Sequence, residues 1–130
     1  GAPDFFTWGD WCSAEERTNA TQHTGRPLAI ANMLLALDSM AQMATALGNS
    51  SAAARYAAAK ARYAAVFHSS FYNPSTGIYN VDTGDPLTAQ SVNAIALAAG
   101  AVPASQRKRV AAALRRDVEA RGLSVGATGA

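Results

Sequence analysis

The chain has 130 residues, of which 49% are hydrophobic and 15% charged, with a formal net charge of +2. This balance excludes gross disorder, which needs low hydrophobicity and a high net charge. It also argues against a nucleic-acid reader: the sequence pI is near 9.0, but Asp117 and Glu119 interrupt the basic stretch Arg107–Arg121, so that stretch reads as a solvated helix face.

The length allows one domain or a piece of one. Alanine supplies about half of the apolar residues. Alanine favours helix strongly but brings little apolar area, so the composition promises helices more than a large self-contained core. Cys12 is the single cysteine, which rules out an internal disulfide and a Cys-based zinc cluster. No unbroken run of 18 apolar residues occurs, so no membrane span is expected. Gly1-Ala2-Pro3-Asp4 lacks a Met and any signal pattern, and both ends are expected to be cuts in a longer chain.

Residues 1–24 show no sustained period and read as a loop rich in aromatic and acidic residues. A first helix is expected from about Pro27 to Leu47, with Thr24 as cap and Pro27 in the first turn. Ile30, Met33, Leu34, Leu37, Met40, Ala41, Ala44 and Leu47 recur at three and four, and Leu28, Leu35 and Met43 widen the stripe. So broad an apolar face predicts a largely buried helix. Gly48 closes it and Asn49-Ser50 opens the next turn. The second helix is expected over about Ser51–Ser69, with Tyr56, Ala59, Tyr63, Val66 and Phe67 on one face. A connection of two to four residues makes the two an antiparallel αα-hairpin.

Asn73-Pro74 with Gly77 three residues on predicts a turn between aromatic flanks, compatible with a short β-hairpin. The third helix is expected from Pro86, capped by Asp85, to about Ala99, with Leu87, Val92, Ile95, Ala96 and Ala99 as its apolar face. Pro103 opens a fourth, ending near Arg121 before Gly122, with Val110, Leu114 and Val118 at spacing four. The fold class is therefore all-α, two αα-hairpins in series.

Thr7-Trp8-Gly9-Asp10-Trp11 is the strongest chemical candidate. An indole offers a flat apolar face for a sugar ring, and a neighbouring carboxylate accepts hydrogen bonds from its hydroxyls. The competing reading has both tryptophans capping a core and Asp10 capping a turn. Glu15 and Glu16 are adjacent, about 100° apart on a helix, and cannot flank one bond as a pair. His23 reads as a loop histidine or a ligand contact, and His68 as a partner of its helix dipole. Gln90, an amide on an apolar helix, either faces a cavity or bonds a neighbouring segment. No metal-ligand spacing, phosphate-cradling loop or nucleophile elbow is present, and no cofactor is implied. Asn19-Ala20-Thr21 and Asn49-Ser50-Ser51 match the N-glycosylation pattern, which matters only in a secreted eukaryotic context.

The order of these pieces resembles the catalytic region of family 78 α-L-rhamnosidases. Gly9-Asp10-Trp11 is followed by a helix ending Ala44-Thr45-Ala46-Leu47-Gly48, then by Arg55-Tyr56, a Phe-rich end at Phe67–Phe71, and Gly77-Ile78-Tyr79. Thr88-Ala89-Gln90, Ala94–Leu97, Val102-Pro103 and the glycines Gly126 and Gly129 complete the series. The resemblance spans nearly the whole chain. Cys12 and His23-Thr24-Gly25 depart from residues common in the family at those places.

The resemblance implies that residues 1–130 are part of an (α/α)6 toroid: a substrate-side loop over 1–24, and two of its six hairpins over 25–130. It implies hydrolysis of terminal α-L-rhamnose with inversion, by an acid and a base roughly 6.5–9.5 Å apart. By the same resemblance the acid precedes Gly9-Asp10-Trp11 and the base follows Gly129, so no residue of this sequence is assigned a catalytic role. Asp10, Trp11 and Trp8 would line the sugar site, and Gln90 would lie near the inner helix ring. The expected partners are a rhamnoside and the remainder of the barrel, with neither nucleic acid nor membrane. The compartment is left open, secretion included. Two other readings stand beside this one: a small helical interaction module without chemistry, and a piece of another six-hairpin carbohydrate enzyme.

Overall fold

The structure is a computed structural model and describes residues 25–81 and 88–123. Four helices and one small hairpin follow in order: α1 (Gly25–Ala46), α2 (Ser50–Phe71), β1 (Tyr72–Asn73), β2 (Ile78–Tyr79), α3 (Gln90–Ala98) and α4 (Ala104–Arg121). The architecture is all-α and built from helical hairpins. α1 packs along α2, α3 along α4, and α1 also meets α3.

The α1–α2 turn forms because Gly48 takes φ 71°, a left-handed conformation open to glycine at no steric cost. Asn49 N–H then donates to Ala44 O at 2.8 Å, and Asn49 Oδ1 accepts from Ala52 N–H at 3.0 Å, capping α2. Lys60 of α2 reaches back to Asp38 of α1 at 2.6 Å, fixing the register of the hairpin.

The core lies where α1, α2, α3 and the hairpin converge. Leu28, Ala31 and Leu34 of α1 meet Phe67 and Phe71 of α2, Tyr79 of β2, and Val92 and Ala96 of α3. The Phe67 ring stands 5.1 Å from Phe71 and 5.2 Å from Tyr79, both tilted, a favourable aromatic arrangement. The small Ala31, Ala96 and Ala99, all buried, leave room for this ring cluster between closely packed helices.

Two expectations, the burial of α1 and the start of α3, need correction. α1 is not largely buried: Met40, Met43 and Leu47 are 39%, 52% and 84% exposed. Among the described residues α1 packs along α2 and, at Leu28, Ala31 and Leu34, into the core shared with α3, while its exposed large apolar side chains lie further along, from Leu35 onwards. α1 is also long and apolar enough to cross a membrane by length and composition alone, with hydropathy 1.2. The core helix of a soluble protein and a signal sequence pass the same test, so the expectation of no membrane span stands untouched.

The third helix starts at Gln90, four residues later than expected. Thr88 pairs with Asn80 in an isolated antiparallel bridge, and Ala89 stays extended at φ −124°, ψ 143°. That pairing holds the chain out of the helix, and Asp85, Pro86 and Leu87 lie outside the described residues. On α4, Val110 is fully buried while Leu114 and Val118 are only half-buried, because α4 sits on the outside of α3 and meets the hairpin with one end.

Candidate functional site

The polar residues buried among the described ones gather at the start of α3: Gln90, Ser91 and Asn93, at 2%, 2% and 3% exposure. A helix start carries unpaired N–H groups and partial positive charge, so polar side chains are accommodated there at the least cost.

Asn93 acts as a substitute strand. Its Oδ1 accepts from Tyr79 N–H at 2.8 Å. Its Nδ2 donates to Tyr79 O at 3.1 Å and to Ala89 O at 3.0 Å. The backbone of Tyr79, facing away from β1, is thereby satisfied by one amide, and β2 is locked to the first turn of α3.

Gln90 turns to α4. Its Nε2 donates to Gly122 O at 3.0 Å, and its amide also hydrogen-bonds the Asp117 carboxylate. Arg121 grips the same carboxylate through two bonds of 2.7 Å. That hydrogen bonding, led by Arg121, holds the Asp117 carboxyl below the usual carboxylate range against the opposing effect of burial. Of the two readings of Gln90, the structure carries both: it bonds the end of α4, and with Ile78, Thr88, Asn93, Leu114 and Asp117 it lines a small open cleft.

The hairpin forms a second polar cluster that sequence reasoning missed. His68 Nδ1 lies 2.7 Å from Tyr79 Oη, and the His68 ring stacks on Tyr72 at 4.5 Å between centroids. Burial lowers the His68 pKa. A helix C-terminus would raise it, so the expected dipole role is replaced by membership of an aromatic cluster. Burial, with Tyr72 adding to it, pushes the Tyr79 phenol well above its ordinary value. Tyr72 Oη donates to Gln106 Oε1 at 2.9 Å and Arg109 Nη2 donates to Pro74 O at 2.8 Å, fastening the hairpin to α4. The signal in the sequence was the Tyr-x6-Tyr spacing across the Asn73–Gly77 turn, which places Tyr72 opposite Tyr79.

Asp38, Asp117 and Glu119 are the carboxylates among the described residues, and each is paired with a cation: Lys60, Arg121 and Arg115. The Lys60 hydrogen bond and charge hold Asp38 below its ordinary pKa. A general acid needs a raised pKa, and Asp38 and Asp117 are shifted the other way. No group of three or more His, Cys, Asp or Glu side chains among the described residues could hold a metal ion. Trp8, Asp10 and Trp11, like Glu15, Glu16 and His23, lie outside the described residues.

Helical hairpins with buried polar side chains gathered at the start of one helix define the class, a helical-hairpin domain. Residues 3–130 match the bacterial alpha-L-rhamnosidase 6 hairpin glycosidase domain. The chain belongs to that family. No curated protein and no solved structure matches it.

Proposed function

We propose that these residues form the sugar-contacting part of an α-L-rhamnosidase that removes terminal rhamnose with inversion. The observation that carries the reading is the family match across residues 3–130. Trp11 and Trp8 stack on the sugar ring and Asp10 accepts from its hydroxyls. Gln90 adds a polar wall at the start of α3 and, through Gly122, ties that wall to α4.

The domain needs hairpins beyond the two described here, and the exposed Met40, Met43 and Leu47 pack against them. The catalytic acid and base also come from outside these residues. Support for the acid is that the Asp38 and Asp117 carboxyls, paired with Lys60 and Arg121, are held below the ordinary carboxylate pKa, the opposite of what a general acid needs. The 130-residue chain alone therefore does not hydrolyse rhamnosides, while the intact protein carrying it does.

The test is an assay of both on an aryl α-L-rhamnoside. Turnover by the intact protein and none by the 130 residues is expected. Robust turnover by the 130 residues, abolished by Asp10→Ala or Glu15→Ala, would overturn this reading.

A further inference from the structure

The open cleft where α3 begins beside α4 is lined by Gln90 and Asp117 together with Ala113 and Leu114. Its volume is about 20 Å³, room for a single water-sized group. A whole sugar ring does not fit it, but one hydroxyl does.

Asp117 can be reached from this cleft, because its side chain is 34% exposed. Arg121 donates to Oδ1 and Oδ2 through two bonds of 2.7 Å, a fork that fixes the plane of the carboxylate. A carboxylate offers about four acceptor positions. Among the described residues Arg121 takes two of them and the Gln90 amide a third, which leaves a place for one further donor. Gln90 Nε2 is also committed to Gly122 O at 3.0 Å, so the charged acceptor sets the character of the cleft. A hydroxyl, which can donate, suits it. An anionic group such as a phosphate or a uronate meets like charge there.

We propose that this cleft is a binding site for one hydroxyl of a neutral sugar, which donates to the Asp117 carboxylate. The inference rests on the rhamnosidase reading above, in which Gln90 forms part of the sugar wall, and it adds a charged acceptor to that wall.

The experiment is calorimetric titration of L-rhamnose into the intact protein and its Asp117→Asn, Ala113→Leu and Trp11→Ala variants, with thermal midpoints measured alongside. Ala113→Leu fills the cleft and removes none of the hydrogen bonds around Asp117. Shutting out a hydroxyl bonded to a charged acceptor corresponds to about tenfold weaker binding or more, and that loss is expected for Ala113→Leu at an unchanged midpoint. Asp117→Asn keeps the shape and loses the charge, which is expected to weaken binding about fivefold. Both variants binding within twofold of the unaltered protein overturns the site and leaves the cleft to a water; weak binding by Trp11→Ala alongside leaves the larger reading intact. Weaker binding in Ala113→Leu alone overturns Asp117 as the acceptor. If Ala113→Leu lowers the midpoint, Asp117→Asn decides, fivefold weaker binding supporting the site and a change within twofold overturning it. Failure of the unaltered protein to bind L-rhamnose overturns the rhamnosidase reading itself, and the proposed site with it.

Discussion

Replacing Asn93 with alanine removes three hydrogen bonds, and their consequences differ. Ala89 O keeps the Asn93 backbone N–H, at 3.3 Å. Tyr79 N–H and Tyr79 O lose their partner, and Tyr79 is 0% exposed. Each buried group left unpaired costs about 1–3 kcal/mol, so Asn93→Ala is expected to destabilise by about 3 kcal/mol. For a domain near this size that is a midpoint loss of roughly 10–20 °C. Asn93→Asp sharpens the test. One carboxylate oxygen still accepts from Tyr79 N–H, but the other faces the Tyr79 and Ala89 carbonyls, acceptor against acceptor. At pH 7 the aspartate is expected to be at least as harmful as alanine. At acid pH, once protonated, it donates to Tyr79 O and recovers part of the loss. Urea unfolding followed by helical circular dichroism at both pH values measures this. An Asn93→Ala effect under about 0.5 kcal/mol, or an aspartate milder than alanine at pH 7, would refute the role assigned to Asn93.

Phe67→Ala empties the centre of the aromatic core and should cost about 3–5 kcal/mol in the same unfolding experiment; its 0% exposure leaves no room for a smaller effect. His68 has a folded pKa below its ordinary 6.5, so the folded state binds fewer protons there than the unfolded state. Its contribution is then fully present above about pH 6.5 and is lost as pH falls below 6.5 through the lowered folded value. His68→Phe keeps the stack on Tyr72 and should flatten that acid slope; parallel slopes for the two proteins would show that another group titrates. Gly77→Ala forces a side chain onto φ 80° and drives its Cβ into the Arg109 side chain. A loss of about 1–2 kcal/mol is expected by urea unfolding.

The helices were legible in the sequence because their signals are local. Gly48, Asn49, Pro103 and Gly122 mark boundaries within one turn of where α1, α2 and α4 begin or end. The start of α3 was not legible, because Asp85-Pro86 carries a strong local start signal while the bridge from Thr88 to Asn80 is set by a partner eight residues away. Periodicity showed that α1 is apolar on a broad face, but no pattern within a helix says what covers it. In the candidate site, Gln90 stood out as an amide on an apolar helix, while the role of Asn93 became visible only in the fold. Gly122, the partner of Gln90, and Tyr79, the partner of Asn93, are brought near only by folding, as is the contact of His68 with Tyr79.

The proposed inverting hydrolysis of α-L-rhamnosides is read most plainly from the anomeric configuration of the first product. Proton NMR of the intact protein acting on an aryl α-L-rhamnoside should show β-L-rhamnose first, with the α-anomer growing in only by mutarotation, since inverting attack places water on the opposite ring face. Initial release of α-L-rhamnose would contradict inversion, and turnover of other glycosides with none of the rhamnoside would contradict the substrate.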